Sequence, residues 1–276
     1  MHETIPVHEF GQAIEKGLEE NQFLLYYQPE LSIQTRRIEV VEALARWQVP
    51  GNTFPLEAGH FIPHAERTRK IVNIGNWVIR EVLERARDWR LAGRNVRLSL
   101  NVSMRQVAFY EFVSDLSALI DQYGVDPSQI EIEITETARP ISEEIMRSVF
   151  EQIACRGVRI SLDDFGTAYS HMDYLLGSIP AHTIKIDAKH VRDLMNDPIK
   201  RSRFQRLIEC FHDLGLEVVA EGVETDRQLR ILKAIGCDRA QGYFIARPMP
   251  VTECEAFIDG WAQTGEHVHD ALALSA

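Results

Sequence analysis

The sequence predicts an α/β fold, a (β/α)8 TIM-like barrel, from three observations. The chain has 276 residues, of which 45% are hydrophobic, so it is long enough to bury one large core. Eight short runs have the composition and length of β-strands, and most of them are followed by a segment with helical spacing of apolar residues. Such regular alternation is typical of parallel strands closed into a barrel by an outer ring of helices.

The predicted strands follow one another at spacings that leave room for a helix between most pairs. They cover residues 23–31, 37–47, 96–103, 130–136, 158–165, 182–188, 217–223 and 239–246. Ile79, Leu83 and Ala86 recur at helical spacing before Gly93, which predicts a helix that ends there. Thr225 and Gln228 form a capping box that predicts the start of another helix. We divide the chain into a lead-in helix or linker (1–20), a barrel domain (21–262) and a C-terminal tail (263–276).

The composition excludes several classes of function. A net charge of −11 and a pI near 5.4 argue against binding to duplex nucleic acid or to an anionic membrane surface. The four cysteines form no C-x-x-C pair, which is typical of buried thiols in a reducing compartment. The first residues lack the features of a signal peptide, and no apolar run is long enough to span a bilayer. We therefore expect a cytoplasmic protein without membrane insertion.

Polar side chains recur near the carboxyl ends of the predicted strands, where a barrel builds its active site. They are Glu42, Asn101, Glu133, Glu136, Asp163, Asp164, Lys185, Asp187, Glu221, Glu224 and Gln241. Carboxylates that converge repel one another, and hard cations such as Mg²⁺ or Mn²⁺ remove that repulsion. The adjacent Asp163 and Asp164 suit two ions about 3.5–4 Å apart, which can activate a water for in-line attack on a phosphodiester.

Seven short motifs carry a resemblance to a known family. They are EALARW (42–47), LNVS (100–103), EITE (133–136), DDFGTAYS (163–170), KID (185–187), AEGVE (220–224) and QGYFIARP (241–248). In order and approximate spacing they resemble the EAL-domain family of bacterial cyclic di-GMP phosphodiesterases, from about Phe23 to Pro250. The resemblance implies a barrel with one antiparallel strand and hydrolysis of cyclic di-GMP to linear pGpG by a two-metal mechanism.

The resemblance also implies a role for each matched residue. One metal would be held by Glu42, Asn101, Glu133 and Asp163, and the other by Asp163, Asp164 and Glu221. Lys185 would contact the attacking water, Asp187 would hold Lys185, and Glu136 would steady the loop that follows the acid pair. Glu224 and Gln241 would contact metal-bound water, and the dinucleotide would be bound by Gln28, Leu44, Arg46 and Gln241. Arg46 can offer a planar fork of donors to a phosphate.

The same resemblance implies cofactors and partners. We expect two Mg²⁺ or Mn²⁺ ions per site and inhibition by Ca²⁺, because a larger ion with loose coordination fits a tight two-metal site poorly. We also expect a homodimer, and a sensory or cyclase domain in a longer parent chain.

Departures from the family's usual pattern leave alternatives open. Ala168 replaces a glycine and His171 a serine in the loop after the acid pair, and one extra residue precedes Lys185; these changes predict a reduced rate or an altered dimer. Glu30 stands where an apolar residue is common, and we expect it near the substrate edge. The alternatives are a cyclic di-GMP receptor with little or no turnover and an unrelated magnesium-dependent barrel enzyme. The complete acid set favours the phosphodiesterase. Three further acids, Glu131, Glu143 and Glu144, are expected to be solvated.

Overall fold

Strands that alternate with helices close into a barrel, as the sequence predicts. The computed structural model describes residues 10–109, 111–135, 143–165, 179–194 and 197–264. The strands are β1 Phe23–Ser32, β2 Ile38–Trp47, β3 Leu56–Glu57, β4 Arg97–Asn101, β5 Ile130–Thr135, β6 Arg159–Phe165, β7 Thr183–Ile186, β8 Glu217–Ala220 and β9 Arg239–Ala240. Neighbouring strands pair in the order β1-β9-β8-β7-β6-β5-β4-β2, and pairing of β1 with β2 closes the ring of eight.

One strand of this ring, β1, runs antiparallel to both of its neighbours. It forms a long hairpin with β2, in which Gln28 lies opposite Glu42, and it pairs antiparallel with β9 on its other side. All other neighbours in the ring are parallel. The predicted antiparallel strand is thereby confirmed. The short strand β3, which pairs with the last residues of β2, was not predicted because two residues carry no readable alternation.

The helices surround the barrel and end where their sequence signals place them. They are α1 Phe10–Glu19, α2 Ala58–Arg67, α3 Ile71–Leu91, α4 Met104–Val107, α5 Phe112–Tyr123, α6 Glu143–Cys155, α7 Ala188–Asp193, α8 Pro198–Asp213, α9 Asp226–Ala234 and α10 Val251–Thr264, with a 3₁₀ turn at Pro127–Gln129. The predicted capping box opens α9, where the backbone N–H of Gln228 donates to Thr225 Oγ1 over 3.2 Å. No helix within the described ranges has both the length and the apolar composition that crossing a membrane requires.

Alternation along each strand separates an apolar outer face from a polar interior. On β5, Ile132 and Ile134 are buried in the hydrophobic core. Glu131 and Glu133, which alternate with them along the strand, make ion pairs with residues of other strands inside the barrel. The polar interior forms two layers. The upper layer, near the carboxyl ends of the parallel strands, consists of Gln28, Glu42, Asn101, Glu133, Asp163, Lys185, Glu221 and Gln241. The lower layer consists of Glu30, Arg97, Glu131, Arg159, Thr183, Glu217 and Arg239.

Two predicted positions prove wrong because of this layering. Glu131 was expected to be solvated, yet it is 2% exposed and accepts a hydrogen bond from Arg97 over 3.0 Å, because it shares the inner face of β5 with Glu133. Glu30 was expected near the substrate edge, yet it lies in the lower layer and pairs with Arg239 at 2.7 Å. The reason is the direction of β1: since this strand is antiparallel, residues after Gln28 lead away from the upper layer. Glu144 is exposed, as expected, and the side chain of Glu143 lies outside the description.

Candidate active site

The upper layer is organised around the ammonium of Lys185. Its Nζ lies 2.8 Å from Glu133 Oε2, 2.8 Å from Glu221 Oε1, 3.4 Å from Glu42 Oε2 and 4.0 Å from Asp163 Oδ1. The lysine side chain is 1% exposed. Its four described partners come from strands β2, β5 and β6 and from the residue that directly follows β8. The predicted convergence of these side chains is therefore what the structure shows, and the four carboxylates face a single ammonium.

The charges of this cluster determine the protonation state of Lys185. Burial by itself would lower the pKa of Lys185, but the carboxylates, led by Glu133 and Glu221, outweigh burial and hold the pKa of Lys185 well above its ordinary value. The amine is consequently protonated at neutral pH. In this arrangement it can donate hydrogen bonds and stabilise negative charge.

Glu42 is the best-satisfied carboxylate of the layer. It accepts a hydrogen bond from Asn101 Nδ2 to Oε1 and another from Gln241 Nε2 to Oε2, each over 2.8 Å. Burial opposes its charge, but Lys185 and these two amides outweigh burial and lower the pKa of Glu42. The ionised carboxylate is thus held in one orientation.

Glu133 and Glu221 lack comparable support. Burial, with repulsion from Glu42, raises the pKa of Glu133 well above its ordinary value, and burial raises the pKa of Glu221 to about 8. Glu133 Oε1 is also buried without a hydrogen-bond partner among the described residues. The layer therefore has more negative charge than Lys185 can compensate, which is a property expected of a site that accepts cations.

A pocket of about 400 Å³ lies above this layer, within the size range of small-ligand sites. It is lined by Gln28, Glu42, Asn101, Asp163, Ala188, Glu221, Gly222, Glu224, Gln241, Gly242 and Tyr243. Seven of these were predicted as site residues. Ala188, Gly222, Gly242 and Tyr243 were missed. The first three lie next to a predicted residue in sequence and Tyr243 lies two positions after Gln241, and that proximity was the signal that could have found them.

The backbone at the pocket wall is packed too closely for larger residues. Gly222 has φ +64°, and a Cβ there would lie 2.2 Å from Ala188 Cβ. Gly242 has φ +154°, and its Cβ would lie 2.2 Å from the backbone nitrogen of Val223. Both positions require glycine because the segment after β8 lies against the start of helix α7 at Gly222 and against the segment after β9 at Gly242, without room for a side chain.

The Gly222→Ala substitution is expected to destabilise the protein by about 1–3 kcal/mol, because it adds both a clash and a strained φ. Urea denaturation followed by circular dichroism measures this change. Gly59→Ala is the matched control, since a Cβ at Gly59 meets nothing within 4 Å and the residue lies in helix α2. An unfolding midpoint for Gly222→Ala equal to that of wild type would contradict the close packing.

Two of the predicted substrate contacts, Gln28 and Arg46, have partners within the protein. Gln28 lines the pocket and donates to the carbonyl of Ala246 over 3.1 Å. Leu44 and Arg46 follow Glu42 on the same face of β2 but lie outside the lining residues. The Arg46 guanidinium lies 5.5 Å from the centroid of the Tyr26 ring and donates to the carbonyl of its neighbour Ala45. Their contact with a substrate stays a prediction.

Asp187 lies directly after β7 and has a described partner other than Lys185, so its predicted hold on Lys185 stays a prediction. Its carboxylate accepts a hydrogen bond from the backbone N–H of Lys189 over 2.8 Å and caps helix α7, and the described ion pairs of Lys185 are with other carboxylates. The reason is that β7 ends at Ile186, so Asp187 belongs to the helix start and no longer shares the inner face of the strand. Glu224 lines the pocket, as its predicted role requires.

Some predicted positions lie outside the described residues. Glu136, Ala168 and His171 belong to this group, and for Asp164 the backbone is described as part of β6 but the side chain is not. Their predicted roles stay predictions.

The chemistry of the donors fits a hard divalent cation. The upper layer offers carboxylate and amide oxygens without cysteine or histidine, and Glu133 Oε1 is buried and unpaired. Among the described residues, no group of three or more histidine, cysteine, aspartate or glutamate side chains lies close enough together to hold a metal ion. The carboxylates turn towards Lys185 instead. A metal site here is therefore a matter of proposal.

Fold and site together define a TIM-like barrel domain with an acidic pocket at the carboxyl ends of its strands. The chain belongs to the EAL domain family, whose model matches residues 11–248. The resemblance seen in the motifs is confirmed.

Named relatives in this family are similar over most of the chain. The cyclic di-GMP phosphodiesterase PdeR of Escherichia coli is 34% identical over 244 residues, which cover 88% of this chain and 36% of PdeR. The bifunctional diguanylate cyclase/cyclic di-GMP phosphodiesterase MucR of Pseudomonas aeruginosa is 33% identical over 253 residues, 91% of this chain and 36% of MucR. The chain thus spans about a third of the length of these curated relatives.

Solved structures show the same fold. The PaMucR phosphodiesterase in complex with c-di-GMP matches with a TM-score of 0.81 and 33% identity, covering 89% of this chain and 99% of that chain. The FimX EAL domain of Xanthomonas citri in complex with c-diGMP matches with a TM-score of 0.79 at 18% identity, covering 89% and 95%, and supports the fold alone.

Proposed function

We propose that this domain hydrolyses cyclic di-GMP to linear pGpG with the help of two Mg²⁺ or Mn²⁺ ions. The observation that carries the proposal is the excess of carboxylates around Lys185 beneath a pocket at the carboxyl ends of the barrel strands. Membership of a family with relatives named as cyclic di-GMP phosphodiesterases, and similarity to a solved c-di-GMP complex, supply the substrate class.

The residues that would hold the ions are those of the upper layer and its neighbour on β6. One ion would be bound by Glu42, Asn101, Glu133 and Asp163, and the other by Asp163, Asp164 and Glu221. When bound, such ions lower the pKa of a coordinated water and stabilise charge on phosphate oxygens. They would also compensate the charge of Glu133 and Glu221, whose pKa values are raised by burial and, next, by the neighbouring carboxylates.

Lys185 would act as a charged donor. Since its pKa is raised and its ammonium is buried, it would orient the attacking water by donating a hydrogen bond and would stabilise the charge that develops on the phosphate. Gln241 and Asn101 would keep Glu42 ionised and oriented by their two hydrogen bonds. This division of roles assigns no proton transfer to the lysine.

One aromatic ring at the pocket is suited to the nucleotide. Tyr243 lines the pocket with a 49% exposed side chain, and the Arg247 guanidinium stacks 4.0 Å from the centroid of its ring. A purine base could stack on such a ring. Arg46, beyond Glu42 on β2, would bind a phosphate with its fork of donors.

Incubation of the purified domain with cyclic di-GMP and Mn²⁺, followed by chromatography for pGpG, tests the proposal. We expect product with Mn²⁺ or Mg²⁺ and none with EDTA or Ca²⁺. Binding without product would support a receptor with little or no turnover. The ion pairs that Glu133 and Glu221 make with Lys185 are compatible with this alternative. Absence of both binding and product would refute the assignment of substrate. A homodimer and a sensory or cyclase domain in a longer parent chain remain further proposals.

A further inference from the structure

The seam between β9 and β1 has a short backbone ladder, beside which Ile33 N–H donates to the carbonyl of Asp238 over 2.8 Å. Strand β9 is two residues long, and its described ladder with β1 consists of Leu31 opposite Ala240 and Ser32 opposite Arg239. The ladder of β1 with β2, by comparison, runs from Phe23 to Leu31. Side chains must therefore contribute much of what fixes β9 against β1.

Arg239 supplies such contacts from inside the barrel. Its guanidinium donates to Glu30 Oε2 over 2.7 Å, to Thr183 Oγ1 over 3.0 Å and to Glu217 Oε2 over 3.2 Å, so one side chain joins strands β1, β7, β8 and β9. A fourth partner, Glu131 of β5, lies 3.5 Å away. Arg239 is 3% exposed and Glu30 is 1% exposed, which means that both charges are removed from water and depend on each other.

The Glu30–Arg239 pair lies directly below Gln28 and Gln241, two glutamines that line the pocket. Gln241 follows Arg239 by two residues on an extended backbone, and Gln28 precedes Glu30 by two residues on β1. Gln241 donates to Glu42 over 2.8 Å, and both glutamines line the pocket. A β-bulge between Glu30 and Leu31 marks the place where the strand register changes just after this pair.

We propose that Arg239, paired with Glu30, is a positioning residue of the active site. By fixing β9 against β1 below the upper layer, the pair sets the position of Gln241 and so the hydrogen bond that orients Glu42. Its consequence for metal binding rests on the proposed function, in which Glu42 is a ligand. A carboxylate ligand that loses an orienting hydrogen bond binds its metal more weakly.

The test compares wild type with Glu30→Leu/Arg239→Met, a double variant that removes both charges together and fills their volume, so that no buried charge is left unpaired. We expect it to fold, with Gln241 Nε2 displaced from Glu42 Oε2 to beyond about 3.5 Å in its crystal structure. We also expect its Kd for Mn²⁺, measured from the electron paramagnetic resonance signal of free Mn²⁺, to rise about tenfold.

Two further variants complete the design. Arg239→Lys keeps a positive charge for Glu30 but loses the planar fork of donors that reaches Thr183 and Glu217, so we expect a smaller rise of about threefold in the Kd for Mn²⁺. If the double variant does not fold, this single variant tests whether Arg239 positions the site. Arg94→Met removes an ion pair with Asp259 on the outside of the barrel and should leave the Kd within about twofold of wild type.

A folded double variant that keeps the Gln241–Glu42 hydrogen bond at 2.8 Å and binds Mn²⁺ as wild type does would overturn the inference. Wild type that binds no Mn²⁺ would refute the proposed metal chemistry instead. In that case the distance between Gln241 and Glu42 alone decides whether Arg239 positions the site.

Discussion

Replacement of Lys185 by methionine is expected to lower kcat for cyclic di-GMP hydrolysis by about 10²–10³-fold. The reason is that Lys185 is the described ammonium in contact with all four carboxylates of the upper layer, and its raised pKa keeps it charged throughout the neutral range. Without it, no donor of this kind would remain there to orient the attacking water and to stabilise charge on the phosphate.

The same substitution is expected to destabilise the protein by about 3–5 kcal/mol at neutral pH, because it leaves buried carboxylates without their partner. This loss should shrink as the pH falls and the carboxylates become protonated. Activity is therefore measured at saturating substrate under conditions in which circular dichroism shows the variant to be folded. Lys200→Met, which removes an exposed ion pair with Asp193, is the matched control. A folded Lys185→Met protein with a kcat within a factor of three of wild type would show that the lysine has no part in the reaction.

Mn²⁺ is expected to stabilise the domain by about 4 kcal/mol when its concentration is 1,000 times its Kd, which corresponds to a rise in Tm of about 10 °C. Differential scanning calorimetry with Mn²⁺ or with EDTA measures the shift. Glu133→Gln, which removes a proposed ligand but keeps its shape, should greatly reduce the shift. Glu209→Gln on the exposed surface of α8 should not. An equal Tm with Mn²⁺ and with EDTA would contradict the proposed metal site.

The metal-free protein should also respond to pH in a defined direction. The pKa of Glu221 is raised to about 8 in the folded protein from an ordinary value of 4.5, so folding favours the protonated carboxyl. The stability that this preference provides is fully present below about pH 4.5 and is lost as the pH rises through about 8. Glu221→Gln, which cannot titrate, should show a weaker decline of Tm over this range in EDTA. The same decline in both proteins would mean that Glu221 does not cause it.

Much of the fold could be predicted because its signals are local. The apolar alternation of the first seven predicted strands, the helical spacing around Leu83 and the capping box at Thr225 depend on a few neighbouring residues, and the structure has an element at each of these places. The eighth predicted strand, 239–246, was too long. The apolar residues after Gly242 have a strand-like composition, but the backbone turns there, with Ile245 N–H donating to the carbonyl of Gly242. A turn of this kind depends on packing against Val223 and leaves no trace in the apolar pattern.

The candidate site likewise has features that the sequence predicts and features that only the tertiary structure shows. The sequence by itself determined which polar residues lie near strand ends, because a period of two and short motifs locate them without any knowledge of partners. The tertiary structure alone decided which side chains meet across the barrel: the four carboxylates around Lys185, and the pair of Glu30 with Arg239. Contacts of the last kind join residues 209 positions apart in sequence. They depend on strand direction and ring closure, which no local pattern records.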